Sequence, residues 1–407
     1  MNHEAHTLRG LPLEAFDHPE PGDAWEDCPL AAVSDARLLE AVVAAITPPK
    51  VDAPSSFVLH APLELLARAA LLPQVAPEAR GDARRQIAAV AVRYALAGVE
   101  VEPPYAGFEG EATALAALID ALRSGDPQGA DAAISFLLPR VPLWRLRAAL
   151  VDELLPSLGA AAHAPILLAA LPRVADRIAG VGGLLRAPLR TIAAAAAERI
   201  IWYQEAAGTP APPDAEAALL QALIAPPHLE SSSWIAPTML AVQRSGDAAG
   251  LLAGPAHALS PQQAERVLLR VAALAMLQDD PAEAPYGWSH CLTLPQAVLA
   301  NADAAGNAHA LVAVAATQVL GMRATLGKVA LDPSAMPALP APHAELITKL
   351  ATRAARHPDA HLAKYTLACF DAAARDPDAA GLFLAAAGFL GAWWDRHDSA
   401  SSDPPPG

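Results

Sequence analysis

Apolar side chains recur at i, i+3 and i+4 along separate stretches of the chain, which is the spacing of one buried helix face. No convincing run shows the strict apolar–polar alternation of a half-buried strand. The pattern therefore predicts an all-α protein. The stretches with helical spacing are 36–46, 63–71, 83–98, 112–125, 190–206, 264–277 and 344–357.

Most of the 39 prolines lie between the helical stretches. Proline removes a backbone donor inside a helix but is tolerated at a first turn or in a loop. We therefore predict a large bundle of about a dozen short helices with proline-rich connections. The proline-rich breaks are 46–56, 99–107, 208–214, 224–233, 279–287 and 331–345.

The ends of the chain differ in composition from its middle. Residues 1–30 are acidic and dotted with proline, which predicts an N-terminal arm, and the polar residues 398–407 predict a disordered tail. Between them we predict a single helical domain over 31–397, with a possible subdivision near 208–233.

Composition narrows the classes of function. Hydrophobic residues make up 54% of the chain and charged residues 17%, so a large core must be buried. The net charge of −15 disfavours nucleic acid and anionic membrane surfaces as partners. Three uncharged stretches (154–172, 284–302 and 304–322) approach the length of a membrane span, but each contains histidine, so we interpret them as core helices.

Cysteine usage and the N-terminal residues predict a cytoplasmic protein. Cys28, Cys291 and Cys369 form no CxxC pair, which favours a reducing compartment. The first ten residues lack the basic start and apolar run of a signal peptide.

Local motifs of common enzyme classes are missing from the sequence. The glycines in 180–185 lack the third glycine of a dinucleotide fingerprint and follow no predicted strand, so no Rossmann domain is expected. Neither HExxH nor GxSxG occurs. Histidines brought together by folding still leave a metal site open, and the metal is unknown.

Three histidines are predicted to stand just ahead of helix N-termini. His60 and His163 each precede a proline by two residues, and His290 precedes Thr293, an expected N-cap. The positive end of a helix dipole disfavours imidazolium, so such a ring can act as a neutral base. The alternative is that these histidines only cap or pack.

Further candidates lie near the C-terminus and around His290. His361, Lys364 and Tyr365 fall at i, i+3 and i+4 on one predicted helix face, which indicates either a polar pocket or a solvated face. Tyr286 and Trp288 offer flat surfaces for an aromatic ligand, or they fill space in an alanine-rich core.

Four segments that contain these histidines resemble the questin oxidase-like family, in the family's order. They are His60-Ala61-Pro62-Leu63, 160–175 with 197–210, the SHCLT element at 289–293, and the most specific, the Asp-x-His-x-x-Lys helix in 359–378. Arg173 matches a family arginine. Leu59, Leu167 and Ala170 depart from the asparagine, arginine and histidine of the family.

The resemblance implies flavin-independent, Baeyer–Villiger-type oxidation of an anthraquinone-like polyketide with NADPH and O₂. On this hypothesis His290 or His163 removes a phenolic proton, His361 relays it, and Lys364 stabilises the oxyanion or peroxide. His60 orients the substrate. The substrate is bound by Tyr286, Trp288, Tyr365 and Arg173. The hypothesis requires His60, His163, His290 and His361 to converge on one pocket.

Two other classes of function stay open at this point. One is a non-catalytic helical scaffold or small-molecule-binding protein in which the histidines are incidental. The other is a metal-dependent enzyme that uses clustered histidines. The natural substrate, direct binding of NADPH and the oligomeric state do not follow from the sequence.

Overall fold

The computed structural model describes residues 29–53, 56–102, 107–206, 208–231, 235–335, 337 and 343–401. Within these ranges it contains seventeen α-helices and two strands of two residues each, which confirms the all-α class. The helices outnumber the predicted dozen because several are only seven to eleven residues long.

The chain divides into two compact units. Unit 1 holds the described residues up to Arg199 together with 303–306 and 355–360, and unit 2 holds 200–302, 307–354 and the described residues from His361 onward. The chain thus first passes from unit 1 to unit 2 after Arg199, which lies before the boundary predicted near 208–233. The sequence pattern did not predict that the short segments 303–306 and 355–360 belong to unit 1. In unit 1, Asp303 binds Arg147 at 2.6 Å, and the Gly306 amide donates to Asp152 at 3.1 Å.

The described residues of unit 1 form eight helices and an antiparallel pair of strands, in which Lys50 faces Glu100 and Val51 faces Val99. In chain order they are α1 (Asp35–Ile46), β1 (Lys50–Val51), α2 (Phe57–Leu71), α3 (Arg80–Leu96), β2 (Val99–Glu100), α4 (Glu111–Ser124), α5 (Pro127–Leu137), α6 (Leu143–Leu154), α7 (Ala164–Ala170) and α8 (Arg186–Ala194).

Unit 2 contains the remaining nine described helices, although 355–356 at the end of α15 and Ala360 at the start of α16 belong to unit 1. They are α9 (Ala215–Ile224), α10 (Ile235–Ser245), α11 (Asp247–Ala258), α12 (Pro261–Gln278), α13 (Ser289–Leu299), α14 (Ala308–Leu326), α15 (Ala344–Arg356), α16 (Ala360–Arg375) and α17 (Ala380–Ser401).

Polar side chains cap many of the helix starts. Ser34 accepts a hydrogen bond from the Arg37 amide ahead of α1, and Asn307 accepts one from Ala310 at the start of α14. Ser260 and Gln263 form a capping box at α12, with Pro261 in the first turn. These caps satisfy amides that have no partner inside the helix.

The helix predicted over 190–206 is wrong beyond Ala194, where α8 ends. Arg199 pairs with Ser157 in an isolated β-bridge and binds the Glu153 carboxylate at 2.8 Å. The Leu158 amide also donates to the Glu198 carbonyl at 2.8 Å. These contacts hold the segment extended, so tertiary bonds override the helical preference of an alanine-rich run.

Prolines also occur inside helices, contrary to the expectation that they mark only first turns and loops. Pro62, Pro255 and Pro295 lie within α2, α11 and α13. Of the predicted arm, 1–28 lie outside the described residues, and Pro29–Ala31 is a 3₁₀ turn. The tail predicted from 398 is wrong at its start, because α17 continues to Ser401; 402–407 lie outside the described residues.

One helix among the described residues is long and apolar enough to cross a bilayer, namely α14. Of its most apolar window, 78% is buried within the protein. The central helix of a folded core meets the same test of length and composition.

Candidate functional site

His290 and His361 meet in unit 2. Their ring centroids are 5.1 Å apart with an interplanar angle of 72°, an edge-to-face contact. His290 lies on α13 and His361 on α16, and each is 8% exposed. Folding therefore joins two imidazoles that are about seventy positions apart in the chain.

His290 does not precede a helix, contrary to the prediction. It is the second residue of α13, which continues directly from a π-helical turn over Ala284–Trp288. Thr293 is no N-cap, because its hydroxyl donates to the Ser289 carbonyl at 2.9 Å within the helix. A hydroxyl bonded back to the preceding turn does not start a helix.

The ring of His290 is oriented by the backbone. Its Nδ1 lies within hydrogen-bond distance of the Tyr286 carbonyl. A carbonyl can only accept, so Nδ1 carries a proton, and in the neutral form of the ring the lone pair is on Nε2. His290 thus presents Nε2 as a base without depending on a helix dipole.

Burial and a neighbouring charge act together on His361. Burial lowers its pKa well below the usual 6.5, and the ammonium of Lys364 one turn away lowers it further. Lys364 is itself only 6% exposed. His361 is therefore neutral at physiological pH, and a cation lies beside it in a largely water-poor setting.

Of the two aromatic residues predicted to stack on a ligand, only Tyr286 is accessible. Its side chain is 53% exposed, and its ring meets His361 edge-on with centroids 4.9 Å apart. Trp288 is fully buried, and its indole N–H donates to the Asp280 carbonyl at 2.9 Å. The Arg323 guanidinium lies 5.7 Å from its ring centroid. The structure thus places Trp288 in the core.

Tyr365 also lies in the core, although it shares a helix with His361 and Lys364. It is fully buried, and burial raises its pKa well above 10, with Cys369 and Cys291 adding to the shift. Burial likewise raises the pKa of Cys291 to about 12. The phenol therefore packs among thiols, and the predicted i, i+3, i+4 stripe presents His361 and Lys364 rather than all three residues to one site.

A second pair, His60 and His163, lies in unit 1. The ring centroids are 4.9 Å apart with an interplanar angle of 43°. His163 precedes α7 with Pro165 in the first turn, as predicted. His60 is instead the fourth residue of α2, whose start at Phe57 lies well before Pro62. His163 is buried and His60 half-buried.

The backbone ahead of His163 takes an unusual course that the sequence did not reveal. Ala160, Ala161 and Ala162 all have positive φ angles of 53°, 52° and 57°. Side chains disfavour this left-handed region. The turn brings the Ala160 carbonyl to 3.0 Å from His163 Nδ1, so Nδ1 of His163 also carries a proton, which it donates to this carbonyl.

Glycine is required next to this left-handed turn. A Cβ on Gly159 would lie 2.8 Å from the Cα of Ile192 on α8. The close approach of the two backbones explains why the turn follows a glycine. Nothing in the helical periodicity signals such a contact.

Arg173, predicted to bind substrate, is exposed in a 3₁₀ turn of unit 1, and its carbonyl accepts a hydrogen bond from Arg177 at 2.8 Å. Four predicted histidines thus form two pairs, one in each unit. Their convergence on one pocket stays a prediction.

No group of three or more His, Cys, Asp or Glu residues suited to a metal occurs among the described residues. The alternative of a metal enzyme built on a large histidine cluster therefore gains no support from them. A third histidine pair, His257 with His309, was missed because its members lie in different proline-separated helices.

The fold and these contacts define a class: an all-helical protein with paired imidazoles, one pair beside a buried ammonium. Compared with known proteins the chain has no match, since no protein family, no curated protein and no solved structure is similar to it. The resemblance to the questin oxidase-like family therefore stays a prediction based on the segments quoted above.

Proposed function

We propose that the unit 2 site is a base-and-cation centre that oxidises a phenolic aromatic molecule with O₂, as the questin oxidase-like resemblance implies. The observation that carries the proposal is the contact of His290 with His361, a histidine kept neutral by burial and by Lys364. A neutral base next to a buried cation suits chemistry in which a proton is removed and negative charge develops.

The first step is deprotonation of the substrate. Nε2 of His290 takes the proton of a ring hydroxyl, because Nδ1 is already committed to the Tyr286 carbonyl. A positioned base contributes typically about 10²–10⁴ in rate. The resulting phenolate has high electron density on its ring carbons.

The second step joins substrate and oxygen. A ring carbon gives an electron pair to O₂, a carbon–oxygen bond forms, and the outer oxygen carries the negative charge. The substrate carbon is oxidised and O₂ is reduced to the level of peroxide. Lys364 stabilises this anion, and the proton held by His290 returns to it, with His361 as the relay.

NADPH supplies two electrons as hydride in the reaction that the resemblance implies. A dinucleotide in the Rossmann manner needs a glycine-rich turn between a strand and a helix. Among the described residues neither two-residue strand leads into such a turn. The glycine-containing stretch forms a 3₁₀ helix over Val181–Leu185, directly after Gly180. The residues present do not fit that mode, so no step is assigned through NADPH.

Tyr286 gives the proposed site an exposed aromatic edge. Its ring contacts His361 while about half of its surface faces solvent. A planar substrate that stacked on Tyr286 would bring its hydroxyl toward the imidazoles. Trp288 and Tyr365 support the site from the core in this proposal.

The test compares matched variants in oxygen consumption with a hydroxylated anthraquinone and NADPH. Lys364→Met and His290→Gln should each lower kcat by about 10²-fold or more while keeping the circular dichroism of the wild type. The matched controls are Lys349→Met and His228→Gln, which change exposed residues.

Turnover within about twofold of the wild type in both site variants would refute the proposal. Stabilisation by the anthraquinone without oxygen consumption would identify a binding protein instead, since a ligand at 100 times its Kd adds about 2.7 kcal/mol. Absence of both binding and turnover with hydroxylated anthraquinones would remove this substrate class.

A further inference from the structure

His257 and His309 form a histidine pair in unit 2 that the proposed function does not use. Their ring centroids lie 4.9 Å apart at an interplanar angle of 76°. His257 is in the last turn of α11, and His309 is the second residue of α14. His257 is exposed, whereas His309 is half-buried.

The ring of His309 is fixed by a backbone carbonyl. Its Nδ1 lies 3.2 Å from the Ala256 carbonyl, so Nδ1 donates and Nε2 carries the lone pair. Nε2 is buried and has no hydrogen-bond partner among the described residues of the protein. A buried nitrogen without a protein partner is disfavoured unless water, a ligand or an ion satisfies it.

The carbonyl-bound ring of His309 has the arrangement of a metal-binding histidine. A ligating imidazole donates its other N–H to a carbonyl, which fixes both tautomer and direction. With metal–nitrogen distances of about 2.0–2.1 Å, two imidazoles at tetrahedral or square-planar angles have centroids about 4.5–5.2 Å apart. The observed 4.9 Å lies within this range.

We propose that His257 and His309 bind a divalent transition-metal ion of the Cu²⁺, Ni²⁺ or Zn²⁺ class, with water in the remaining positions. Nε2 of His309 would supply one ligand and the exposed imidazole of His257 the second, at the ring separation observed. The ion would join the end of α11 to the start of α14. The Tyr203 ring, whose centroid is 6.0 Å from that of His309, packs edge-on against the site.

Cu²⁺ is the probe for this site, because it binds imidazole most tightly among these ions. Titration calorimetry gives the number of ions bound, and electron paramagnetic resonance reports the number of imidazole nitrogens on copper. His257→Gln should lose about one equivalent of bound Cu²⁺, together with the signal of the two-imidazole species and the rise in melting temperature that copper causes.

Two controls separate this site from others. His228→Gln changes an exposed histidine and should keep the full copper binding of the wild type. His290→Gln should also keep the ion at His257, so the metal site and the proposed oxidase succeed or fail independently.

The proposal is overturned if the wild type binds no Cu²⁺, or if His257→Gln binds it with unchanged stoichiometry and nitrogen coupling. His257 is chosen for substitution because its side chain is exposed, so its replacement should disturb the core little. Circular dichroism of the variant confirms that it folds.

Discussion

Replacement of Ala161 by glycine measures how strongly the left-handed turn before His163 is strained. An L-residue at the observed φ of 52° costs about 1–2 kcal/mol, and glycine avoids that cost. Glycine also lowers the free energy of unfolding by about 0.4–1 kcal/mol, because it gives the unfolded chain greater conformational freedom. The methyl group that is lost is half-buried, so its removal costs only part of the roughly 0.8 kcal/mol that a fully buried methylene contributes to stability. The free energy of unfolding should therefore change by about −0.5 to +1 kcal/mol.

Ala116 provides the matched control, since it is exposed within the right-handed helix α4 of the same unit. Ala116→Gly should lower the free energy of unfolding by about 1 kcal/mol. Urea unfolding followed by circular dichroism compares the two variants, and Ala161→Gly should be the more stable by about 0.5–2 kcal/mol. Equal destabilisation at both positions would show that the turn carries no strain.

Two further predictions concern buried charges in unit 2. Because the pKa of His361 is depressed, the unfolded chain takes up a proton near pH 6.5 that the folded protein takes up only at lower pH. The free energy of unfolding should thus fall as the pH drops below about 6.5. When this free energy is measured by urea unfolding at several pH values, His361→Gln should show a smaller fall than the wild type, and His228→Gln serves as the control. Arg323 and Asp279 form a buried ion pair at 1% and 0% side-chain exposure. Arg323→Met leaves the carboxylate uncompensated and should cost about 3–5 kcal/mol in urea unfolding, whereas a loss below about 1 kcal/mol would contradict that role.

Helix periodicity predicted the elements well where the buried face is built from the helix's own residues. The stretches 36–46, 112–125 and 264–277 each became a helix with ends within a few positions. The same reasoning failed for 190–206, where bonds to Glu153, Ser157 and Leu158 decide the backbone beyond Ala194. Local pattern contains no information about such distant partners.

The candidate site was predictable in its residue types but only partly in its geometry. The spacing of His361 and Lys364 correctly placed both on α16 within one turn of each other. Proline was a poor marker of helix starts, because Pro62 and Pro295 lie inside α2 and α13. His60 and His290 lie within helices, so the prediction that both stand ahead of a helix N-terminus was wrong. The depressed pKa of His361 arises chiefly from burial.

The environment of His361 argues that this part of the fold is not explained by stability alone. His361 and Lys364 are 8% and 6% exposed, yet they lie one turn apart on the same helix, where the cation opposes protonation of the ring. Burial of an ammonium and an imidazole costs free energy even when each has partners, and apolar side chains of similar size would avoid that cost. Lys364→Met should therefore fold at least as well as the wild type. A variant that gains or keeps stability while losing turnover would separate a chemical role for the ammonium from a structural one, and that separation is what the proposed base-and-cation centre requires.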